Sequence, residues 1–115
     1  MNKNNEPHLI KGGISVDDRG TLKYSNDFDF SSVKRFYIVE NHSVGFIRAW
    51  HGHKNESKFA LVLSGTALFG VVSLSSSNEE PKKFILDSNN SEILYIPSGF
   101  ANGFMNLKEG TKVLF

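Results

Sequence analysis

Cysteine is absent from the 115-residue sequence. The chain therefore has no disulfide, no thiolate metal ligand and no cysteine nucleophile. No stretch approaches the roughly 18 consecutive apolar residues of a membrane-spanning helix, and residues 1–10 lack the apolar segment of a signal peptide. These absences lead us to expect a cytoplasmic protein that does not enter a membrane.

Neither sign of charge dominates the chain. Thirteen Lys and Arg residues stand against twelve Asp and Glu residues, which gives a formal net charge of +1. The basic residues do not form a block of the kind that binds nucleic acid. We therefore expect no nucleic-acid partner.

The length predicts one domain, residues 1–115, with a polar and disordered start over residues 1–7. Short runs rich in Val, Ile, Phe and Tyr alternate with clusters of Gly, Ser, Asn and Asp, which is typical of strands and turns. The runs are LKYSNDF, VKRFYIV, GFIRAWHGH, KFALVLSG, TALFGVVSL, KKFILDS, EILYIPSGF and TKVLF. Strands that recur every 8 to 12 residues, roughly, indicate an all-β sandwich or barrel. The serine-rich stretch 74–81 is expected to be an exposed hairpin loop.

Two histidines lie one residue apart in the run GFIRAWHGH. Residues two apart in a strand share a face, so His51 and His53 are expected to point the same way. The pair is compatible with a metal site, an acid/base pair or a solvated strand face. Arg48 lies three residues before His51 and would face the opposite side, unless a bulge near Gly52 turns both toward one pocket.

The spacing around the histidines resembles the first motif of the cupin superfamily, through Gly45, His51, His53, Lys58 and Gly65. The later stretch PSGFANGFMN, residues 97–106, resembles the second cupin motif. In cupins that bind a metal, a glutamate occupies the position of Lys58 and a third histidine that of Asn102. A protonated lysine has no lone pair to donate, and a neutral amide is a poor ligand for transition metals. The resemblance therefore implies an antiparallel jelly-roll barrel with no metal and no cofactor.

Among metal-free cupins the chain is most similar to enzymes that act on 4-keto-6-deoxy nucleotide sugars. The dTDP-4-dehydrorhamnose 3,5-epimerases carry an Arg-x-x-His, a strand that begins with Lys, and an IPxGFAHGF signature. The corresponding stretches here are RAWH (48–51), KFALVLSG (58–65) and IPSGFANGF (96–104). The sugar 3,4-ketoisomerases carry HAHK after a KRVYY-like strand, which HGHK (51–54) and KRFYIV (34–39) resemble. The sequence lies between the two families.

The resemblance implies a proton abstraction next to the sugar ketone. Such a step needs a base that titrates near neutral pH, which an ordinary histidine provides, and His51 is the expected base. Lys58 would stabilise the enolate oxygen without a metal. For the acid that returns the proton, the epimerases use a tyrosine in the strand after the second motif, where this chain has TKVLF. His53 is the first substitute and Tyr37 the second.

The same resemblance assigns substrate contacts. DDRG, residues 17–20, matches an early D-x-RG of the epimerases, whose arginine, here Arg19, would contact the nucleotide phosphates. Arg48 and Asn102 are further candidates for substrate binding. Arg35 would hold the diphosphate through bidentate bonds or remain a solvated edge charge.

Three functions remain open from the sequence. The first is epimerisation of a nucleotide-linked 4-keto-6-deoxy sugar for cell-surface polysaccharides, the second is 3,4-ketoisomerisation, and the third is sugar binding without catalysis. The third is favoured by the missing tyrosine and by the missing C-terminal carboxylate that orients the base in the epimerases. Because the chain stops at Phe115 in mid-strand, we expect a truncated form. We also expect a homodimer, since a small open barrel leaves edge strands that need cover.

Overall fold

The structure is a computed structural model that describes residues 6–75 and 80–115. Within these residues the chain forms eleven β-strands and a single 3-10 turn, Phe30–Ser32. The strands are β1 His8–Lys11, β2 Gly13–Asp17, β3 Gly20–Tyr24, β4 Ile38–Glu40, β5 Ile47–His53, β6 Lys58–Ser64, β7 Thr66–Ser73, β8 Lys82–Asp87, β9 Glu92–Ile96, β10 Phe100–Asn106 and β11 Lys112–Leu114. The all-β prediction is confirmed. None of the described residues belongs to a helix long and apolar enough to span a membrane.

The strands form two main sheets and a separate hairpin. One sheet has the order β1-β9-β6-β11-β4, the other has the order β5-β10-β7-β8, and every strand pair is antiparallel. This is the expected jelly-roll architecture. The run VKRFYIV differs from its prediction, because only its last residues join β4, while residues 33–36 are exposed.

The core lies between the inner faces of the two sheets. Alternate residues of each strand are buried there, such as Ala60 and Val62 on β6 and Phe69 and Val71 on β7. The Phe69 ring stacks on Phe104 of β10 with ring centroids 5.2 Å apart. Full burial of a Val or Phe side chain contributes about 1.5–3 kcal/mol. The sheets are thus fixed face to face, which also fixes the strand ends that carry the polar motif residues.

Two predicted irregular stretches fall partly outside the described residues. Of the predicted disordered start, residues 1–5 are not described, whereas Pro7 is buried and Glu6 accepts a hydrogen bond from Lys82 at 2.8 Å. Of the predicted serine-rich loop, residues 76–79 are not described. The flanking strands β7 and β8 pair with each other, as a hairpin requires.

The β2–β3 hairpin, residues 13–24, projects from the barrel and is exposed on both faces. Its base is held where the Gly12 amide donates to the Ser91 carbonyl and the Ser91 hydroxyl donates to the Tyr24 carbonyl, both at 2.6 Å. Apolar side chains along it remain in solvent, with Val16 72% and Leu22 64% exposed. An isolated two-stranded hairpin is marginally stable in water, so these hydrogen bonds to the barrel contribute to its order.

Candidate active site

Among the described strands, the histidine strand β5 is the edge of the four-stranded sheet and pairs with β10 alone. In this pairing Asn102 lies opposite His51 and Phe104 lies opposite Arg48, with a register shift between them. Two residues of β5, 49 and 50, therefore face the single residue Gly103, which is a β-bulge. A bulge near Gly52 was the condition for Arg48 and His51 to share a pocket, and the structure has one two to three residues earlier.

Because of the bulge, Arg48 and His51 lie on the same face of β5. Directly opposed residues of paired strands share a face, and the partners Phe104 and Asn102 are both buried on the inner side. His53, opposite Phe100, lies on this side as well. The register thus gives the two histidines the common face that the sequence predicts, and it adds Arg48 to that face, which the sequence made conditional on a bulge.

Side-chain contacts hold these residues in place. The Arg48 Nε donates to the Asn41 Oδ1 at 2.6 Å, and the Asn102 Nδ2 donates to the His51 carbonyl at 3.3 Å. The His53 Nδ1 lies 3.7 Å from the Glu56 Oε2. Asn102 was a candidate for substrate binding, but its amide is buried and bonds to the backbone of the histidine strand. Asn41 was missed, since only the fold shows that its side chain reaches Arg48.

The inner face of the five-stranded sheet contributes Lys58 and Tyr37. Lys58 begins β6 on the same side as the buried Ala60, and its Nζ lies 5.7 Å from the centre of the Phe115 ring. Tyr37 stacks on Phe115 with centroids 5.3 Å apart and exchanges backbone hydrogen bonds with it. Phe115, whose ring has no hydroxyl, is thus the aromatic residue of the segment TKVLF, in which the sequence shows no tyrosine.

A groove of about 870 Å³ lies beside this aromatic stack. Lys58, Tyr37, Phe115 and Arg35 are among its lining residues, and the Arg35 guanidinium lies 5.1 Å from the centre of the Tyr37 ring. Its volume is within the ~300–1,000 Å³ range of small-molecule sites. The histidine pair and Arg48 do not line this groove; they lie on the facing sheet.

The fold does not bring Arg19 to the histidine strand or to the groove. It lies at the tip of the β2–β3 hairpin, where its Nη2 donates to the Asp17 Oδ2 at 2.6 Å and its side chain is 87% exposed. The hydrogen bonds from Arg19 lower the pKa of the Asp17 carboxyl. Within one protomer, then, the predicted phosphate contact is separate from the histidines.

The donor set does not favour a metal ion. The described part of the chain contains no group of three or more His, Cys, Asp and Glu side chains that could hold one. Besides the histidines, the side chains in contact here are the Asn102 amide, which bonds to the His51 carbonyl, and a single carboxylate, Glu56, 3.7 Å from His53. Metal independence stays a prediction.

A family model described as dTDP-4-dehydrorhamnose 3,5-epimerase matches residues 5–115. The chain belongs to this family. No curated protein matches the sequence closely enough to report. The family assignment agrees with the motif resemblance, which rested on the same histidine strand, lysine strand and glycine-rich stretch.

Members of both related enzyme groups have similar solved structures. The dTDP-4-dehydrorhamnose 3,5-epimerase of Bacillus anthracis shares 23% identity with a TM-score of 0.80, covering 99% of this chain and 73% of that one. The RmlC epimerase of Mycobacterium tuberculosis shares 22% identity with a TM-score of 0.79, covering 94% of this chain and 60% of that one. The QdtA 3,4-ketoisomerase of Thermoanaerobacterium thermosaccharolyticum, in complex with TDP, shares 22% identity with a TM-score of 0.75, covering 94% and 77%. At these identities the likeness concerns the fold, and the chain spans about three fifths of the M. tuberculosis protein.

Proposed function

We propose that this epimerase-family chain is an isomerase of a nucleotide-linked 4-keto-6-deoxy sugar that works by proton abstraction beside the ketone. The observation that carries the proposal is the bulged register of β5, which turns Arg48 and His51 to the inner face while Lys58 projects from the inner face of the other sheet. A base, a cation for the enolate and a cation for phosphate are the groups that this chemistry requires without a metal.

In the proposed reaction His51 removes the proton from C3 of the sugar. The electrons of the broken C–H bond form the C3–C4 double bond, and negative charge develops on the ketone oxygen O4. The Lys58 ammonium stabilises that charge. Arg48, held by Asn41, binds the diphosphate and fixes the distance between the nucleotide and the base.

The position of the acid distinguishes the two enzymatic reactions. Inversion at C3 needs a proton from the face opposite to His51, and Tyr37 on the facing sheet fits that role. Ketoisomerisation returns the proton to C4 while the hydroxyl proton passes from O3 to O4. This needs no group on the opposite face, so His53 beside His51 suffices. Epimerisation is the proposed reaction, and ketoisomerisation is the alternative that the histidine pair favours.

Solvent exchange tests the function. The protein is incubated with dTDP-4-keto-6-deoxyglucose in heavy water, and deuterium is located by NMR. We expect label at C3, with C5 also labelled if both centres invert. His51→Asn should lower the exchange rate by about 10²–10⁴-fold, the usual contribution of a positioned base. His42→Asn, which changes an exposed histidine, is the matched control.

The same measurement separates the alternatives. A ketoisomerase gives label at C3 or C4 only, together with a product whose carbonyl has moved to C3. Binding of the nucleotide sugar by calorimetry without any exchange would mean a catalytically silent sugar-binding protein. In the epimerase case Tyr37→Phe should stop inversion while exchange at C3 persists, and in the ketoisomerase case His53→Asn should stop product formation.

We further propose a homodimer in which the β2–β3 hairpin of one protomer packs along β5 of its partner. The hairpin leaves the barrel beside the turn between β8 and β9, whereas β5 lies at the other edge of its sheet, three strand spacings or about 14 Å from β8. Among the described residues the hairpin is exposed on its own chain, so β5 of a second copy is the surface that we propose for it. This arrangement would bring Arg19 of the partner subunit toward the histidine strand.

Light scattering tests the dimer. The wild-type protein should have twice the mass of the chain, and Val16→Lys combined with Leu22→Lys should halve that mass and weaken dTDP binding. Ile85→Lys, an equally exposed site on β8 at the other edge of the sheet, should leave the mass unchanged. A monomeric wild type would contradict the dimer, whatever its activity.

The cellular setting is proposed from chemistry alone. A nucleotide-linked deoxy sugar is an activated donor for glycosyl transfer, so the product would supply cell-surface polysaccharide synthesis. The absence of cysteine is compatible with a reducing compartment, and we place the protein in the cytoplasm. The balanced charge fits a small anionic substrate, with no nucleic-acid or membrane partner and no cofactor.

A further inference from the structure

The bulge in β5 packs against a site on the outer face of the four-stranded sheet that is formed by two glycines and that we call the seat. Gly103 of β10 lies opposite the bulge and pairs on its other side with Gly70 of β7. Two glycines thus adjoin across the middle of the sheet. Neither has a positive φ, so conformational freedom does not explain them.

Both positions are occupied by glycine because a side chain there would overlap the residues of the bulge. A Cβ on Gly103 would lie 2.6 Å from the Ala49 Cβ and 3.0 Å from the Arg48 carbonyl oxygen. A Cβ on Gly70 would lie 3.1 Å from Cη2 of Trp50. The two residues of the bulge, Ala49 and Trp50, therefore occupy the volume that side chains at 103 and 70 would fill.

We infer that Gly103 and Gly70 are positioning residues, because the bulge they accommodate is what turns Arg48 and His51 to one face. Without the extra residue, positions 48 and 51 would point to opposite sides of the strand. The inference rests on the proposed function for its catalytic consequence, but the seat itself is a property of the fold. Neither glycine contacts the substrate; both act through β5.

Gly103→Ala is the first test. The added methyl group should displace the Arg48–His51 segment and lower kcat/KM for exchange at C3 by about 10²-fold, since a misplacement of about 1 Å in a catalytic group can cost that much. The emission of Trp50, the single tryptophan, should shift as its ring leaves the seat. Gly70→Ala should shift the emission with a smaller loss of rate, because its contact is with the far end of the indole.

A second-site change separates positioning from general destabilisation. In Gly103→Ala with Ala49→Gly, the closest clash is removed, so the exchange rate and the Trp50 emission should return toward wild type. The melting temperature should also recover, less the cost of the added glycine, which loses more conformational freedom on folding. Loss and recovery of the exchange rate in step with the Trp50 emission, measured well below the melting temperature of both variants, is a result that a merely structural role does not predict.

Gly52→Ala in the same strand is the matched control. Its Cβ would meet the exposed Leu74 side chain at 3.0 Å, which can turn away, and the Ala101 Cβ at 3.3 Å, a looser contact than the 2.6 Å at Gly103. Unchanged exchange and emission in Gly103→Ala, or no recovery on adding Ala49→Gly, would overturn the inference. If the wild type shows no exchange, the proposed function fails, while the Trp50 emission of the same variants still decides whether the seat exists.

Discussion

Strands β5 and β10 are hydrogen-bonded neighbours, yet they differ in almost every other respect. Five of the seven residues of β10 are buried, whereas β5 has none buried. Within the part of the chain that the structure describes, β10 has strand partners on both sides, and β5 has a partner on one side. The candidate base and arginine lie on the exposed strand, where a substrate can reach them. The geometry of that strand comes from the buried neighbour, through register, the Asn102 hydrogen bond and the space at Gly103.

Because of this difference, we expect substitutions in the two strands to affect different properties, stability in β10 and activity in β5. A truncated side chain in β10 should reduce stability, because close-packed neighbours cannot fill the cavity. A truncated side chain in β5, or in the facing Lys58, should reduce activity while the fold persists. The following predictions test that separation.

Phe104→Ala is expected to have the largest effect on stability. The ring is buried against Phe69 and Phe115, with centroid distances of 5.2 and 5.4 Å. Its loss should lower the free energy of unfolding by about 3–5 kcal/mol, measured by urea denaturation. Phe46→Ala, just before β5 and 60% exposed, should change it by about 0.5 kcal/mol or less. Equal losses in the two variants would remove the distinction between the strands.

The contrast between β5 and β10 was only partly visible in the sequence. The alternation of apolar residues predicted strands at both places, and the two motifs predicted which residues carry chemistry. The separation of Arg48 and His51 by three residues showed that the two could share a face only if the strand contained a bulge, and it left open whether one was present. Its position was not predictable, because it depends on a glycine more than fifty residues away that faces the bulge across the sheet.

Other differences have similar physical causes. Strands β1 and β2 were not predicted, since the Gly12–Gly13 pair interrupts their apolar pattern and their pairing is with β9 and β3. β4 is shorter than its run of β-prone residues, because residues 33–36 find no neighbouring strand. Propensity describes a segment alone, whereas a strand also needs a partner.

Lys58→Met should separate activity from stability most clearly. The methionine keeps an unbranched chain against the Phe115 ring but removes the cation that would face the enolate oxygen. We expect kcat for exchange at C3 to fall by about 10²–10³-fold, the usual cost of losing one group that stabilises a developing oxyanion. The melting temperature should stay near that of the wild type. Lys83→Met, on the outer face of β8, is the control, and a similar loss of kcat there would contradict the assignment of Lys58.

The smallest effect is expected at Asp87, at the end of β8. The Thr66 hydroxyl donates to its Oδ2 at 2.6 Å, and the backbone N–H of Asn89 donates to its Oδ1 at 2.8 Å. These hydrogen bonds lower the pKa of the Asp87 carboxyl below its ordinary value of 3.8. A carboxyl with a depressed pKa in the folded state stabilises the protein above its unfolded-state pKa, and that stabilisation is lost as pH falls through the folded-state value. Asp87→Asn should therefore melt below the wild type at pH 6, and the gap should narrow as the pH is lowered below 3.8. Asp18→Asn, in the exposed hairpin turn, controls for the removal of one negative charge. If the difference in melting temperature between wild type and Asp87→Asn stays constant with pH, the carboxylate charge is not involved. We expect the exchange rate at C3 to be unchanged in Asp87→Asn, because this turn contributes to stability and β5 contributes to catalysis.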